Sequence, residues 1–138
     1  MKYLTIYNKD IEEYKKKLGD FYFPSYSPEY IKAIENTPII CVCFDGEVIV
    51  GAGRILTDFN RFAFFVDLNV SKSYRRRGIG TQLVKNMLNE CLKINITRYI
   101  ELSTDPKLPW LEEFYTKNGF SKDSDSTHMR YRPKIDNK

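Results

Sequence analysis

The sequence predicts one α/β domain built on a mixed, mostly antiparallel sheet. Three observations predict it. The length of 138 residues suits a single hydrophobic core. Strand-like and helix-like apolar periods alternate in the order β-α-α-β-β-β-α-β-α-β. One strand–helix–strand crossover at the centre makes two strands parallel among antiparallel neighbours. We therefore expect one domain over residues 1–138.

The first third of the chain predicts a strand, two helices and a hairpin. Tyr3–Tyr7 has the composition of a strand, and the helix that follows should end at Gly19. A second helix is expected from about Ser27, with Pro28 at its first position. Two β-rich runs then flank Asp45-Gly46, which is a strong signal for a tight hairpin turn.

The next strand, over residues 62–70, alternates with period two. Strict alternation predicts one face with Phe62, Phe64, Val66, Leu68 and Val70, and an opposite face with Ala63, Phe65, Asp67 and Asn69. The second face is apolar at its start and polar at its end. We therefore interpret Asp67 and Asn69 as a place where function is to be expected.

The rest of the chain predicts a helix, a strand, a short helix and a final strand. From Gly78 the apolar period becomes helical and ends near Lys93. A strand follows at residues 98–104, and then a short helix closed by Gly119. A last strand is predicted at His128–Arg132.

The composition and charge of the chain narrow the classes of function that it can have. No apolar run is long enough to cross a membrane, and the amino terminus has no signal-peptide core, so we expect a cytoplasmic protein. The net charge of +4 is concentrated at residues 72–77, which favours a local anion site over a nucleic-acid coat. Three cysteines without a C-x-x-C pair and one histidine predict no metal site.

The run Arg75–Gly80, which reads RRRGIG, stands where a strand ends and a helix begins. The first turn of a helix has free backbone N–H groups and partial positive charge. Gly78 and Gly80 have no Cβ, so an anion can approach these amides closely, and arginines add charge-assisted hydrogen bonds. The segment predicts a phosphate or pyrophosphate site. The alternative is a sharp turn with solvated arginines.

Two motifs carry a family resemblance. Arg75–Gly80 matches the R/Q-x-x-G-x-G/A acyl-CoA motif of the GNAT superfamily of N-acetyltransferases, and Phe114–Phe120 (FYTKNGF) resembles the F-Y-x-x-x-G-F signature of that family. The resemblance implies about six or seven strands, with helices on both faces and a central parallel pair splayed around the cofactor. It also implies direct acetyl transfer from acetyl-CoA (coenzyme A) to a primary amine of a small molecule or peptide, in a ternary complex.

The resemblance also implies which residues hold acetyl-CoA. Backbone amides from Arg76 to Thr81 would hold the pyrophosphate, and Leu68 and Val70 would pair with the pantetheine arm. The cofactor-binding set also includes Arg75, Arg77, Gly78, Ile79, Gly80 and Asn118. A backbone N–H near Val70 would stabilise the oxyanion.

The chemistry needs a base and a group that protonates the leaving thiolate. An alkylamine is mostly protonated at pH 7, so its proton must be accepted directly or through water. Asp67 is the first candidate base and Glu101 the second; the alternative for Asp67 is a surface or ion-paired carboxylate. Tyr115 matches the usual general acid of the family, and its alternative is a packed aromatic side chain.

The acceptor site is the least defined. Tyr22, Phe23, Tyr26 and Trp110 are candidate walls of an aromatic pocket, unless they are ordinary packing. We expect a small-molecule or peptide amine as partner, with no nucleic acid and no membrane, and a homodimer is compatible with the sequence. Two other functions remain open: a non-catalytic acyl-CoA-binding regulatory module, and a nucleic-acid-binding protein that uses the basic patch.

Overall fold

The computed structural model describes residues 1–23 and 25–134; Pro24, placed by the sequence in the loop after the first helix, lies outside these ranges. The helices and strands are β1 (Lys2–Tyr7), α1 (Ile11–Tyr22), α2 (Tyr30–Glu35), β2 (Ile39–Asp45), β3 (Val48–Thr57), β4 (Phe62–Val70), α3 (Ile79–Lys93), β5 (Tyr99–Leu102) and α4 (Pro109–Lys117). The chain divides into two compact units, Met1–Thr104 and Asp105–Lys138. The first contains the sheet and α1 to α3, and the second contains α4.

The sheet has the order β1-β2-β3-β4-β5. Its first four strands pair antiparallel, and β4 pairs parallel with β5 through α3. The predicted crossover and parallel pair are confirmed. The parallel ladder runs from Phe62–Tyr99 to Phe65–Leu102, and beyond it β4 pairs only with β3. The edge of β4 at residues 66–70 therefore has no strand beside it in the first unit.

Helices cover both faces of the sheet, as the resemblance implies. On one face α1 and α2 cover a cluster of buried apolar side chains, namely Ile6, Ile11, Leu18, Tyr22, Ile34, Ile40, Val42, Phe44, Ile49 and Ala52. On the other face α3 packs closely on β3. A Cβ on Gly51 would stand 3.0 Å from both Ile79 and Leu83, so any other residue there would force these side chains of α3 to shift.

Strand β4 contains a bulge. Ala52 lies opposite Asn69, whereas Arg54 lies opposite Val66, so two residues of β4, Asp67 and Leu68, oppose one residue of β3. Asp67 has a φ of 56°, in the left-handed region that few non-glycine residues adopt. A bulge of this kind bends the strand and changes which face each side chain occupies.

The bulge contradicts strict alternation in the second half of β4. Asp67 contacts side chains of the α1–α2 segment, on the same face as Val66. Leu68 lies on the α3 face, because a Cβ on Gly53 would stand 3.0 Å from Leu68 Cδ1 and 2.7 Å from Met87 Sδ. The prediction that Leu68 and Val70 share a face with Val66 is therefore wrong, since one extra residue reverses the alternation.

The helices of the first unit differ from prediction at their ends. Helix α1 continues past Gly19 to Tyr22, so the predicted stop is wrong. Gly19 lies at a helix contact, where a Cβ would be 3.4 Å from Ile31 Cδ1, and burial there outweighs the low helix propensity of glycine. Helix α2 begins at Tyr30. The Tyr30 N–H group donates to the Ser27 carbonyl and closes the turn before the helix.

The described part of the chain has five strands, so the expectation of about six or seven is wrong. The strand predicted at His128–Arg132 does not form. Residues 121–134 are exposed throughout and pair with no strand of the described sheet, and an unpaired strand is not stable. The closure of α4 at Gly119 is confirmed: its φ is 98°, and the Phe120 N–H bonds the Tyr115 carbonyl at 3.0 Å.

No helix within residues 1–23 and 25–134 is both long enough and apolar enough to cross a membrane.

Candidate functional site

We call residues 75–81, at the start of α3, the cradle, because the features below suit an anion. Gly78 precedes the helix with a φ of 82°, and nothing lies within 4 Å of the position of a Cβ there. The N–H groups of Ile79, Gly80 and Thr81 belong to the first turn and have no acceptor within the helix. They combine with the positive end of the helix dipole, which makes this position suitable for a phosphate group.

The three arginines before the helix are exposed, and no carboxylate of the described chain pairs with them. Arg75 Nε donates to the Val70 carbonyl at 2.8 Å, and the Arg77 guanidinium lies 5.0 Å from the ring of Tyr74. Arg76 has a φ of 64°. Unneutralised cations beside free amides are the donor set that a pyrophosphate requires, so these residues fit coenzyme A.

The free edge of β4 carries polar main-chain groups that already have side-chain partners. The Val70 N–H bonds Asn69 Oδ1 at 3.0 Å, and its carbonyl accepts from Arg75. Arg75 Nη2 also lies 3.5 Å from Asn69 Oδ1. A ligand that pairs with Val70 must therefore displace Asn69 and Arg75.

Asp67 lies at the centre of a polar cluster. Arg54 Nη1 contacts its Oδ2 at 2.6 Å, and Tyr26 donates to its Oδ1 at 3.2 Å. Tyr30 also donates to Oδ2, and Tyr22 donates to the Asp67 main-chain oxygen at 2.8 Å. The structure thus brings together three residues that the sequence nominated, Tyr22, Tyr26 and Asp67, and it favours the ion-paired alternative for Asp67.

Sequence reasoning missed two members of this cluster, Arg54 and Tyr30. Arg54 is 8% exposed although it carries a full charge. Its Nε donates to Thr37 Oγ1 at 2.9 Å and its Nη2 to the Ala33 carbonyl at 3.3 Å. Two signals were present in the sequence: a single charge inside the apolar run of β3, and tyrosines spaced four residues apart at 22, 26 and 30.

The three tyrosine hydroxyls of the cluster are donors at neutral pH. Burial, reinforced by Tyr30 and then Asp67, raises the pKa of Tyr22 well above its usual value. Burial and then the Asp67 charge raise the pKa of Tyr26. Burial and the hydrogen bond to Asp67 raise the pKa of Tyr30. Each hydroxyl therefore keeps its proton and donates it to a hydrogen bond with Asp67.

The other candidate base, Glu101, has a different environment. It lies on β5 beside Phe64, is exposed, and makes no ion pair or hydrogen bond within the described chain. Asp67 is three residues beyond Phe64 along β4, so the backbones of Asp67 and Glu101 stand roughly 10 Å apart along the strand direction. They do not act as a contact pair.

The nominated aromatic walls differ in exposure. Tyr22 is 1% exposed and belongs to the core, whereas Phe23 and Tyr26 are half-buried. The Tyr26 ring lies 5.3 Å from that of Tyr22 and 4.3 Å from that of Tyr30. In the first unit, therefore, Phe23 and Tyr26 are the nominated aromatic side chains that a ligand can reach.

The second unit contains the remaining nominated residues. The Tyr115 ring contacts Phe114 and Phe120 at 5.0 and 5.7 Å, and burial raises the pKa of Tyr115 to about 12. Asn118 Nδ2 donates to the Phe114 carbonyl at 2.8 Å and so closes α4. Trp110, at the start of α4, is 57% exposed.

The structure gives no sign of metal chemistry in the part that it describes. No group of three or more histidine, cysteine, aspartate or glutamate side chains there is placed to hold a metal ion. Cys41, Cys43 and Cys91 are free and buried, and burial raises the pKa of Cys41 to about 12, so this thiol is unreactive.

Solved acetyltransferases share this fold. An aminoglycoside acetyltransferase from an uncultured soil metagenomic sample, in complex with trehalose, matches with a TM-score of 0.72 at 17% identity, covering 96% of each chain. The acetyltransferase AAC(6')-Iy, bound to a bisubstrate analog of coenzyme A, matches with a TM-score of 0.73 at 13% identity, covering 97% of this chain and 98% of that chain. A GNAT family protein of Streptococcus pneumoniae matches with a TM-score of 0.71 at 24% identity, with the same coverage.

Sequence comparison identifies the family. N-alpha-acetyltransferase 50 of Danio rerio is 28% identical over an alignment of 114 residues that covers 76% of this chain and 66% of that protein, so this chain spans about two thirds of that relative. The model of the acetyltransferase (GNAT) family matches residues 4–120, which is most of the chain and includes both the arginine–glycine cradle and Tyr115. The protein therefore belongs to the GNAT family of acetyl-CoA-dependent acetyltransferases, whose members acetylate amines.

Proposed function

We propose that this protein transfers an acetyl group from acetyl-CoA to a primary amine of a small molecule or a peptide, by direct attack with both substrates bound. The observation that carries the proposal is the cradle, in which Gly78 opens the first amides of α3 beside three arginines that no carboxylate of the described chain neutralises. The aminoglycoside acetyltransferases support a small-molecule acceptor, and the zebrafish N-alpha-acetyltransferase supports a peptide amino group. Neither favours the non-catalytic alternative.

The chain's own groups would hold the cofactor at three places. The amides from Arg76 to Thr81 and the side chains of Arg75–Arg77 would bind the pyrophosphate. Leu68 and Val70 would pair with the pantetheine arm along the free edge of β4, and Asn118 stays a predicted cofactor contact. Bound acetyl-CoA supplies the acetyl group as an activated thioester. The match of the family model, which runs across the boundary between the units, supports one acetyltransferase domain over residues 1–138.

The amine must lose a proton before it attacks. For an alkylamine at pH 7 this costs about 4–5 kcal/mol. Glu101 has a carboxylate with no bound cation, whereas both oxygens of Asp67 already accept hydrogen bonds. We therefore favour Glu101, reached through water, as the final acceptor of this proton, with Asp67 as the second candidate.

The Glu101 assignment predicts a pH-dependent loss. Glu101→Gln is expected to lower kcat/KM for the acceptor about tenfold at pH 7 and less at pH 9, because more of the amine is then already neutral. A pH–rate profile from pH 6 to 10 measures this. Glu13→Gln, an exposed site on α1, is the matched control. An unchanged profile in Glu101→Gln would remove Glu101 as the base.

The leaving sulfur needs a hydrogen-bond donor or a proton. With a pKa of about 12, Tyr115 stays protonated at neutral pH. Complete proton transfer to a thiolate, whose usual pKa is about 8.5, would be uphill by about 5 kcal/mol. We therefore propose that Tyr115 donates a hydrogen bond to the leaving sulfur rather than transferring its proton fully.

Phe23 and Tyr26 would line the acceptor side, with the Tyr22 ring packed against that of Tyr26, and Trp110 stays a predicted acceptor contact. Aromatic walls favour an amine that has an apolar part. The three free, buried thiols fit the reducing cytoplasm in which we place the reaction. A homodimer would be compatible with this arrangement.

Acetyl-CoA is expected to raise the melting temperature by roughly 5–10 °C at a concentration of 100 Kd, because it binds only the folded state. Differential scanning fluorimetry measures this, and pantetheine, which lacks the pyrophosphate, is the control and should give little shift. No shift at millimolar acetyl-CoA would contradict the proposal.

Release of free thiol, assayed with spermidine, kanamycin, phenethylamine and a hexapeptide with a free amino terminus, separates an enzyme from a binding module. Acetylation of one of these amines supports the proposal. A thermal shift without thiol release from any of them would favour the non-catalytic module.

A further inference from the structure

Three separate segments of the first unit meet at the bulge of β4. The left-handed backbone of Asp67 costs free energy for a residue with a side chain, so surrounding contacts must hold it. Tyr22 holds the main-chain oxygen at 2.8 Å, and Arg54 holds the carboxylate at 2.6 Å. The bulge is thus fixed by groups that lie 45 and 13 residues away in the chain.

Arg54 is the anchor of this arrangement. Each nitrogen of its guanidinium has an acceptor: Nε bonds Thr37, Nη2 bonds the Ala33 carbonyl, and Nη1 bonds both Asp67 and the Tyr30 hydroxyl. Its guanidinium carbon also lies 5.2 Å from the centre of the Tyr30 ring. A buried charge held by four hydrogen bonds, with an acceptor at each nitrogen, has a well-defined position, so Arg54 fixes the distance between α2 and β4.

The fixed carboxylate of Asp67 in turn positions the Tyr26 hydroxyl. Its Oδ2 is taken by Arg54 and Tyr30, which leaves Oδ1 as the oxygen that receives the Tyr26 hydroxyl at 3.2 Å. The Tyr26 ring packs against the rings of both Tyr22 and Tyr30, yet it stays half-buried. Tyr26 is therefore a fixed hydroxyl on a surface that a ligand can reach, and its orientation depends on an ion pair behind it.

We propose that Arg54 is a positioning residue for acetyl transfer: through Asp67 it fixes the Tyr26 hydroxyl against which the acceptor binds. In this arrangement Asp67 is a template for hydrogen bonds and does not take the proton of the amine. The inference rests on the proposed function, and it adds Arg54 and Tyr30 to the residues on which acceptor binding depends.

The test compares Tyr26→Phe, Asp67→Asn and the double variant with the wild type, with Tyr14→Phe as the control. Tyr14 is a half-buried tyrosine of α1 whose hydroxyl makes no hydrogen bond in the structure. The acceptor is whichever of spermidine, kanamycin, phenethylamine and the hexapeptide gives the highest kcat/KM with the wild type. The readouts are the acceptor KM, kcat, the acetyl-CoA Kd and the pH–rate profile.

We expect both single variants to raise the acceptor KM about five- to tenfold, which is the typical loss of one hydrogen bond, while the acetyl-CoA Kd stays within about threefold. The acceptor KM of the double variant should be no higher than that of the more strongly affected single variant, because both changes remove the same contact. Asp67→Asn should keep the acidic limb of the pH–rate profile. Arg54→Lys should raise the acceptor KM as well, since a lysine cannot reproduce the four-way contact.

Separate outcomes overturn the inference. Loss of the acidic limb in Asp67→Asn would make Asp67 the base. An unchanged acceptor KM in Tyr26→Phe, or additive losses in the double variant, would show that Tyr26 does not act through Asp67. If Arg54→Lys does not fold, the Tyr26 and Asp67 variants still decide the result. A wild type that acetylates none of the four amines would contradict the proposed function, and the positioning role with it; an active wild type with unaffected variants would contradict the positioning role alone.

Discussion

Replacing Gly80 with glutamate is expected to raise the Kd for acetyl-CoA about 100- to 1000-fold. The side chain would place a carboxylate beside the first amides of α3, where the pyrophosphate is proposed to bind. Two unit charges of like sign about 4 Å apart repel by roughly 4 kcal/mol near a protein surface, which corresponds to this loss. Isothermal titration calorimetry with acetyl-CoA measures it.

The fold should tolerate this change. Gly80 lies inside α3 with a negative φ, so a side chain causes no backbone strain there. Glutamate has a higher helix propensity than glycine and interacts favourably with the helix N-terminus. The melting temperature of the ligand-free variant should therefore equal or exceed that of the wild type, which separates lost binding from lost folding.

Two controls isolate the charge at the cradle. Gly80→Ala adds a side chain without charge, and we expect at most a tenfold loss of affinity. Gln82→Glu adds the same charge to the same turn at an exposed position, and we expect little loss. Undiminished affinity in Gly80→Glu would refute the cradle as the pyrophosphate site, and an equal loss in Gln82→Glu would assign the effect to net charge alone.

Tyr115→Phe is expected to lower kcat about 10- to 100-fold and to leave the Kd for acetyl-CoA nearly unchanged. A hydrogen bond to a charged group contributes about 1.5–3 kcal/mol, and the sulfur carries charge only as it leaves. Phenylalanine keeps the ring contacts with Phe114 and Phe120, so α4 should stay folded. Steady-state kinetics together with calorimetry separate kcat from Kd.

The pH dependence distinguishes a hydrogen-bond donor from a true general acid. Because burial raises the pKa of Tyr115 to about 12, the neutral hydroxyl persists through pH 10, and its contribution is lost only as the pH approaches 12. The wild type and Tyr115→Phe should therefore have pH–rate profiles of the same shape between pH 6 and 10. An alkaline limb near pH 9 that disappears in the variant would identify Tyr115 as a general acid with a much lower pKa. Tyr131→Phe, at an exposed site, is the control.

The features that can be predicted from the sequence are those that neighbouring residues determine. The cradle needs only a helix start, two glycines and adjacent cations, and these are consecutive in Arg75–Gly80. The parallel pair followed from a connection rule, because β4, α3 and β5 are consecutive in the chain. The end of α4 followed from Gly119, which adopts the backbone conformation that glycine favours.

Features that depend on distant contacts were not accessible in this way. Nothing in the local pattern of β4 distinguishes a regular strand from one with an extra residue at Asp67. The bulge is held by Arg54 of β3 and by Tyr22 of α1, which only the folded chain brings together. The prediction of where α1 ends was wrong for the same reason, since the packing of Ile31 beside Gly19 is a contact between two helices. Tertiary contacts override local propensity at both positions.

The free edge of β4 has a consequence for solubility. A strand without a neighbour offers N–H and carbonyl groups to any extended peptide, and such edges are common starting points of aggregation. In this protein the bulge at Asp67 bends that strand, and Asn69 and Arg75 occupy the two polar groups of Val70. The edge that we propose for the pantetheine arm is thereby a poor template for a strand of another molecule. A narrow ligand can replace two side-chain contacts, whereas a full strand would need a straight ladder that the bulge interrupts.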